Sequence, residues 1–189
     1  MSVTAKASVI KLILFDVDGV LTDGKILLHA DGTESKQFDI RDGIAMVWAQ
    51  RVGVTIGFLS ARNSPVTTHR AAQLGISVVY NGGPASKLEN YEEILRQQSL
   101  TDAQVAYMAD DVLDLPVLGR AGLSTAPADA VDEVRARVDW VSPSGGGHGA
   151  ARELVELVLR AQGQWEPLVA AFADAQPAKR AAATARSSP

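Results

Sequence analysis

The 189-residue sequence contains no cysteine, which excludes disulfide bonds and thiolate metal ligands. It has no excess of basic residues either, since 18 Lys and Arg face 22 Asp and Glu and the net charge is -4 at pH 7. A general nucleic-acid-binding protein needs a basic surface to neutralise phosphates. The composition therefore argues against nucleic acid as a partner.

Long hydrophobic runs are also missing. The apolar run over residues 9–15 is interrupted by Lys11 and is not followed by a small-residue cleavage site. No stretch approaches the roughly 20 apolar residues that a membrane-spanning helix needs. We therefore expect a cytoplasmic protein that has no membrane partner.

The sequence does contain enough apolar residues, 47% of the total, to form one well-buried domain. Short apolar runs alternate with segments of helical periodicity, which predicts an α/β fold with a Rossmann-like, mostly parallel sheet and helices on both faces. The domain is expected over residues 1–172, and the Ala-rich segment 173–189 is expected to be a disordered tail. The predicted strands are residues 9–15, 54–59, 76–80, 104–108, 122–125 and 138–141, and the predicted helices are 43–51, 65–74, 87–98, 114–120, 129–137 and 150–161.

A small β-hairpin is expected after the first strand, where two short extended runs, 25–29 and 35–38, flank Asp31 and Gly32. The intervals between the predicted strands are too short to contain a separate lid domain. A site without walls would not exclude water or recognise a leaving group. We therefore expect a neighbouring subunit to cover the site, through its hairpin or residues 145–152.

Two carboxylates follow the first predicted strand, in the segment DVDGVLTDG over residues 16–24. Side chains two apart in extended chain leave on the same side, so Asp16 and Asp18 begin close together, and Gly19 lets the backbone turn. Neighbouring carboxylates repel each other unless one is protonated or a cation lies between them. A divalent cation with a preference for oxygen ligands is the usual solution.

Three later strand ends carry further polar groups, which are Ser60, Lys87 and Asp110. The carboxyl ends of parallel strands meet at one edge of a sheet, so one site can collect all of these groups. They match the needs of phosphoryl transfer. In this hypothesis Asp16 is the nucleophile and Asp18 the acid and base, Ser60 and Lys87 hold the phosphate, and Asp16 with Asp110 binds Mg²⁺. Asp114 is interpreted as a helix cap.

At these residues the sequence resembles the haloacid-dehalogenase-like (HAD-like) phosphatases, and more narrowly the 3-deoxy-D-manno-octulosonate 8-phosphate phosphatases. The narrower resemblance extends to about Gly163 and includes FDIRDG at 38–43 and GGGHGAAREL at 145–154. The resemblance implies a cap-less fold, Mg²⁺, and a homotetramer in which neighbouring subunits cover each active site. It also implies a phosphorylated sugar acid of lipopolysaccharide biosynthesis as the substrate, and the Asp18 backbone carbonyl as a further metal ligand.

Substrate contacts are predicted for Asp18, Ser60 and Lys87, and also for Arg41, Arg62 and His148. His148 stands where the octulosonate enzymes usually have arginine, and it carries less charge at neutral pH. A nine-carbon sugar acid 9-phosphate is therefore an alternative substrate. A non-catalytic oligomerisation or regulatory module of the same fold is the alternative outside enzymes, and the complete set of carboxylates argues against it.

Overall fold

The computed structural model describes residues 1–82 and 86–174. Its centre is a six-stranded sheet in which every neighbouring pair of strands is parallel. The strand order is β5-β4-β1-β6-β7-β8, so β1 lies between β4 and β6. The strands are β1 Leu12–Phe15, β4 Thr55–Ser60, β5 Val78–Asn81, β6 Val105–Met108, β7 Leu123–Ala126 and β8 Trp140–Val141.

The central strand β1 is covered on both faces. Leu12 and Leu14 pack in one hydrophobic cluster, whereas Ile13 and Phe15 pack in another, and all four side chains are fully buried. Strand side chains alternate between the two faces, and a continuous apolar run is what a strand buried on both faces requires. The predicted Rossmann-like α/β fold is confirmed.

The cluster that contains Ile13 and Phe15 also includes residues of helices α1, α2, α3, α7 and α8. The cluster that contains Leu12 and Leu14 includes residues of α4, α5 and α6. Their bounds are α1 Val3–Ala7, α2 Ile40–Arg51, α3 Pro65–Gln73, α4 Lys87–Gln98, α5 Leu115–Leu118, α6 Asp132–Arg135, α7 Ala150–Ala161 and α8 Trp165–Asp174. Short 3₁₀ turns precede β6, at Asp102–Gln104, and α5, at Val112–Asp114.

Local capping interactions explain where helices α4 and α2 begin. Helix α4 begins after Ser86, whose hydroxyl accepts a hydrogen bond from the Glu89 amide, while the Glu89 carboxylate accepts one from the Ser86 amide. Such a capping box satisfies two amides that the first turn leaves without helical partners. Helix α2 begins three residues before its predicted start, because the Asp39 carboxylate accepts the Arg41 amide and caps it there.

Helix α8 was not predicted, and tertiary packing explains its presence. Its Trp165 ring lies 5.8 Å from the Trp48 ring of α2, and its Phe172 ring lies 5.2 Å from the same indole. The helix ends at Asp174, two residues into the segment predicted to be a tail, and the rest of that tail lies outside the described residues.

The predicted hairpin is present as the antiparallel pair β2 Leu27–Leu28 and β3 Glu34–Ser35. Gly32 in its turn adopts φ +84°, a conformation that favours glycine. Within residues 1–82 and 86–174 this hairpin is the sole insertion between β1 and α2, and no cap domain is present. Over the same residues, no helix combines the length and apolar character needed to cross a bilayer.

Candidate active site

A cleft of about 220 Å³ opens at the carboxyl edge of the sheet, where β1, β4 and β6 end. Because β1 lies between β4 and β6, the residues that follow these three strands meet there. Six residues predicted from the sequence line this cleft, and they are Asp16, Asp18, Ser60, Arg62, Lys87 and Asp110.

Lys87 joins two carboxylates at the bottom of the cleft. Its Nζ lies 3.0 Å from Asp16 Oδ2 and 2.7 Å from Asp114 Oδ1. The three side chains are only 7%, 10% and 1% exposed, respectively. A buried ammonium group needs such anionic partners, since the loss of hydration is otherwise uncompensated.

Asp114 belongs to this cluster, so its interpretation as a helix cap was wrong. It precedes α5, but its side chain makes no capping hydrogen bond. Its carboxylate instead accepts hydrogen bonds from Lys87 Nζ and from the buried hydroxyl of Tyr107 on β6. A DxxxD spacing from Asp110 would have been the sequence signal for it.

Burial raises the pKa of the Asp16 carboxyl to about 7, with a further increase from Asp114 that the positive charge of Lys87 opposes. Burial likewise raises the pKa of Asp110 to about 6, and the negative charge of Asp114 adds to that increase. Crowded, poorly hydrated carboxylates bind protons more readily because the charged forms repel each other. A cation is the alternative means of neutralising this charge.

The carboxylates fit a hard divalent metal ion such as Mg²⁺. One oxygen from each of Asp16, Asp110 and Asp114 lies within 4.8 Å of the others, and all three are carboxylate ligands of the kind that Mg²⁺ prefers. Asp110 Oδ1 is buried and accepts no hydrogen bond from the described residues. The predicted ligand pair of Asp16 and Asp110 therefore lies together in the structure.

Gly19 makes room for Asp110. A Cβ built on Gly19 would lie 1.9 Å from Asp110 Oδ2, and Gly19 adopts φ +87°. The glycine is thus required twice, for the turn after Asp18 and for the close approach of the Asp110 carboxylate.

Asp18 contacts a residue that the sequence reasoning missed. Lys36, directly after β3 of the hairpin, places its Nζ 2.7 Å from one oxygen of Asp18 and 3.0 Å from the other. The Lys36 side chain is fully buried, whereas that of Asp18 is 22% exposed. The alternation of Glu34 and Lys36 along a hairpin strand was the available signal that both point the same way.

Ser60 is the last residue of β4, and Arg62 lies in the loop that follows. The buried Ser60 hydroxyl accepts a hydrogen bond from the Arg62 amide at 3.2 Å. The Arg62 guanidinium reaches back to the hairpin, where Nη1 lies 2.5 Å from Glu34 Oε2. Arg62 is therefore at the cleft but shares its charge with a carboxylate.

Arg41 and His148 do not line this cleft within the described part of the chain. Arg41 pairs with Asp39, with its Nη2 2.6 Å from Asp39 Oδ2, and also lies 3.5 Å from the His148 carbonyl oxygen. The side chain of Arg41 is 65% exposed, and His148 is exposed as well. The two residues are neighbours at a second location on the surface.

The glycine-rich loop that contains His148 packs on the loop after β1. A Cβ at Gly146 would lie 2.0 Å from the Gly19 carbonyl oxygen, and the Gly147 amide donates to the Val20 carbonyl at 2.9 Å. This close packing of backbone on backbone explains the glycines and supports the turn that presents Asp16 and Asp18.

Comparisons with known proteins found relatives in sequence and in structure, although no protein-family model matches the sequence. The 3-deoxy-D-manno-octulosonate 8-phosphate phosphatase KdsC of Escherichia coli K12 is 39% identical over 162 residues, which are 86% of each protein. The crystal structure of the Yersinia pestis phosphatase of the same name has a TM-score of 0.85 at 36% identity, and the alignment covers 87% of this chain and 88% of that one. The Moraxella catarrhalis structure, a complex with a magnesium ion, a phosphate ion and KDO, has a TM-score of 0.87 at 33% identity, covering 90% and 97%.

A parallel sheet that presents Asp16, Asp18, Ser60, Lys87 and Asp110 along one edge defines a phosphatase of the HAD-like class. Within that class, the identity and coverage of these relatives decide the family. The chain belongs to the 3-deoxy-D-manno-octulosonate 8-phosphate phosphatase family.

Proposed function

We propose that this protein is a Mg²⁺-dependent phosphatase that hydrolyses 3-deoxy-D-manno-octulosonate 8-phosphate to 3-deoxy-D-manno-octulosonate and phosphate. The observation that carries the proposal is the buried Lys87, held between Asp16 and Asp114 in the cleft that also contains Asp18 and Asp110. The identity of the proposed substrate is inferred from the names of the relatives.

The reaction follows from the positions of two aspartates. Asp16 attacks phosphorus through a carboxylate oxygen, and the P–O ester bond breaks with its electron pair on the sugar oxygen. Asp18 gives a proton to that oxygen as it departs. Asp18 then takes a proton from water, which attacks the aspartyl phosphate and releases inorganic phosphate and free Asp16.

Cationic and neutral donors stabilise the charge of the phosphoryl group. Lys87, already paired with Asp16, supplies a positive charge to the phosphate oxygens, and Ser60 supplies a hydroxyl donor. Asp16, Asp110 and the Asp18 backbone carbonyl would hold Mg²⁺, which lowers the repulsion between the carboxylate nucleophile and the anionic substrate. Asp114 supports this set because it fixes Lys87.

The sugar acid is recognised in part by a neighbouring subunit in a homotetramer. The apolar side chains Leu27 and Leu28 of the hairpin and Leu113 beside the cleft are 63%, 69% and 70% exposed, which suits contacts between copies. Arg62 contacts the substrate within its own cleft, whereas the exposed Arg41 and His148 reach the cleft of a neighbour. The cytoplasmic location stays a prediction.

The test is release of inorganic phosphate from a panel that contains 3-deoxy-D-manno-octulosonate 8-phosphate, nine-carbon sugar acid 9-phosphates and simple hexose phosphates. We expect the octulosonate ester to give the highest kcat/KM, and EDTA to stop turnover until Mg²⁺ is added. A nine-carbon ester that is preferred would change the substrate and point to His148 as the reason. No hydrolysis of any ester with Mg²⁺ present would favour the non-catalytic module.

A further inference from the structure

We propose that Lys36 is a positioning residue that holds the Asp18 carboxylate for proton transfer to the leaving oxygen. The inference deepens the proposed phosphatase function and rests on it. Its starting point is Lys36 Nζ, which donates a hydrogen bond to Asp18 Oδ2 at 3.0 Å and lies 2.7 Å from Asp18 Oδ1, a buried oxygen that accepts no hydrogen bond from the described residues.

The burial of Lys36 makes this contact unusual. Its side chain is fully buried, although lysine is seldom removed from water without a partner. Asp18 is the anionic partner in direct contact, and the buried Thr67 hydroxyl of α3 lies 3.4 Å from the same Nζ. The ammonium group therefore has little freedom to leave Asp18.

The hairpin strand holds Lys36 in place through a second attachment. Glu34, two residues earlier and on the same side of the strand, hydrogen-bonds with the Ser64 hydroxyl and pairs with Arg62 at 2.5 Å. Ser64 caps α3, and Thr67 lies in the first turn of that helix. Glu34 and Lys36 thus attach the hairpin to the start of α3, and the ammonium group of Lys36 contacts Asp18.

This arrangement fixes the donor oxygen of Asp18 relative to Asp16. In the first step an O–H bond of Asp18 breaks and an O–H bond forms on the leaving sugar oxygen, while Lys36 keeps all its protons. Lys36 does not line the cleft and forms no ion pair with Asp16 in the described part of the chain. Its contribution is the orientation of the acid, and orientation is a large part of the efficiency of proton transfer.

Two substrates with different leaving groups distinguish a positioning role of Lys36 from a general structural role. An alkyl phosphate, such as a sugar phosphate, must be protonated as its alkoxide leaves, whereas 4-nitrophenyl phosphate releases a stable phenolate without an acid. The parameter to compare is kcat/KM, because it reports the steps up to alcohol release and leaves out hydrolysis of the aspartyl phosphate.

For Lys36→Met we expect kcat/KM on the sugar phosphate to fall about 10- to 100-fold, and kcat/KM on 4-nitrophenyl phosphate to stay within about threefold of wild type. Lys36→Gln, which keeps a hydrogen-bond donor without the charge, should show the same selective loss and serves if the Met variant fails to fold. Lys25→Met is the matched control, since this hairpin lysine is 86% exposed and pairs only with Asp23 in the described chain.

Equal losses on the two esters, or no loss on either, would overturn the role of Lys36 while leaving the phosphatase function intact. Failure of the wild-type protein to hydrolyse both esters would instead refute the proposed function. The two failures are therefore distinguishable.

Discussion

Asp16 shows how burial prepares a carboxylate for chemistry. It is 7% exposed, and its Oδ2 lies 3.0 Å from the ammonium group that would later face the phosphate. Poor hydration leaves the carboxylate oxygen available for attack once a cation balances its charge. The same burial means that its neighbours, and not water, decide its charge.

Asp16→Asn is expected to abolish turnover, with kcat lowered by about 10³-fold or more, because an amide is not a nucleophile toward phosphorus. Asparagine has nearly the same shape, and burial disfavours the Asp16 charge more than Lys87 favours it, so the thermal midpoint should stay the same or rise. Phosphate release and a thermal melt measure the two effects. Retained activity would remove Asp16 from the nucleophile role.

Asp110 and Asp111 are adjacent in sequence but differ in environment. Asp110 is partly buried with one oxygen that accepts no hydrogen bond from the described residues, whereas Asp111 is exposed and accepts the Val112 amide at 2.6 Å. This contrast supports the proposal that Asp110, and not Asp111, binds the metal ion.

Asp110→Asn is therefore expected to raise the Mg²⁺ concentration for half-maximal activity by about tenfold or more. Asp111→Asn, the control, should leave that concentration within about twofold of wild type, because its side chain is solvated. Magnesium titrations of phosphate release compare them. A larger effect at Asp111 would exchange the two roles.

Helices α2 and α7 are joined by one buried carboxylate. Asp42 of α2 is 3% exposed, and its Oδ1 accepts the Arg152 amide in the first turn of α7 at 2.8 Å. Burial raises its pKa to about 6; the negative charge of Asp39 adds to the increase, and the backbone amides and Arg41 oppose it. The two helices meet below the glycine-rich loop, so this link also supports the site.

The sign of the pH effect follows from the raised pKa. Between the unfolded value of 3.8 and the folded value of about 6, the folded state binds more protons at Asp42, so stability falls as pH rises. The loss is complete above about pH 6 and is on the order of 3 kcal/mol at most.

Asp42→Asn should remove this part of the pH dependence, because the amide does not titrate and can still accept the Arg152 amide. Urea unfolding at pH 4 and pH 7 measures the difference for wild type and variant. Asp132→Asn is the control, since that carboxylate is 87% exposed. An unchanged difference in Asp42→Asn would contradict the assignment.

At the scale of the whole molecule, Ile26 lines the cleft, and the next two residues, Leu27 and Leu28 of the hairpin, are exposed to solvent. Exposed leucines on a short two-stranded hairpin are costly in water and typical of surfaces that contact another chain. They are the strongest structural support for the proposed tetramer.

Leu27→Ser with Leu28→Ser is expected to reduce the mass measured by light scattering below that of a tetramer and to raise KM for the sugar phosphate. Val169→Ser on α8, a change at another exposed apolar residue, should leave the mass unchanged. A wild-type monomer with full substrate selectivity would contradict the idea that neighbouring subunits complete the site.

Some features of this protein could be predicted from local sequence patterns. The bounds of α4 and α7 agree with the predictions. The caps at Ser64 and Ser86 depend on interactions within four residues. The apolar run that ends at Asp16 and Asp18 predicted a buried strand whose carboxyl end leads into a site. Four strand ends with the polar groups that phosphoryl transfer needs predicted that chemistry, and the motifs at these residues carried the resemblance to the HAD-like class.

Other features depended on which distant segments pack together. The strand order places β1 between β4 and β6, and that order determines that Ser60 and Asp110 flank Asp16. The partners of Asp114 and Lys36 lie 27 and 18 residues away in sequence, where no local pattern predicts a contact. Backbone preferences and capping act over a few residues, so the sequence by itself determined them. The burial of a charged side chain depends on the assembled core. Only the tertiary structure therefore shows which carboxylates pair with the buried Lys36 and Lys87.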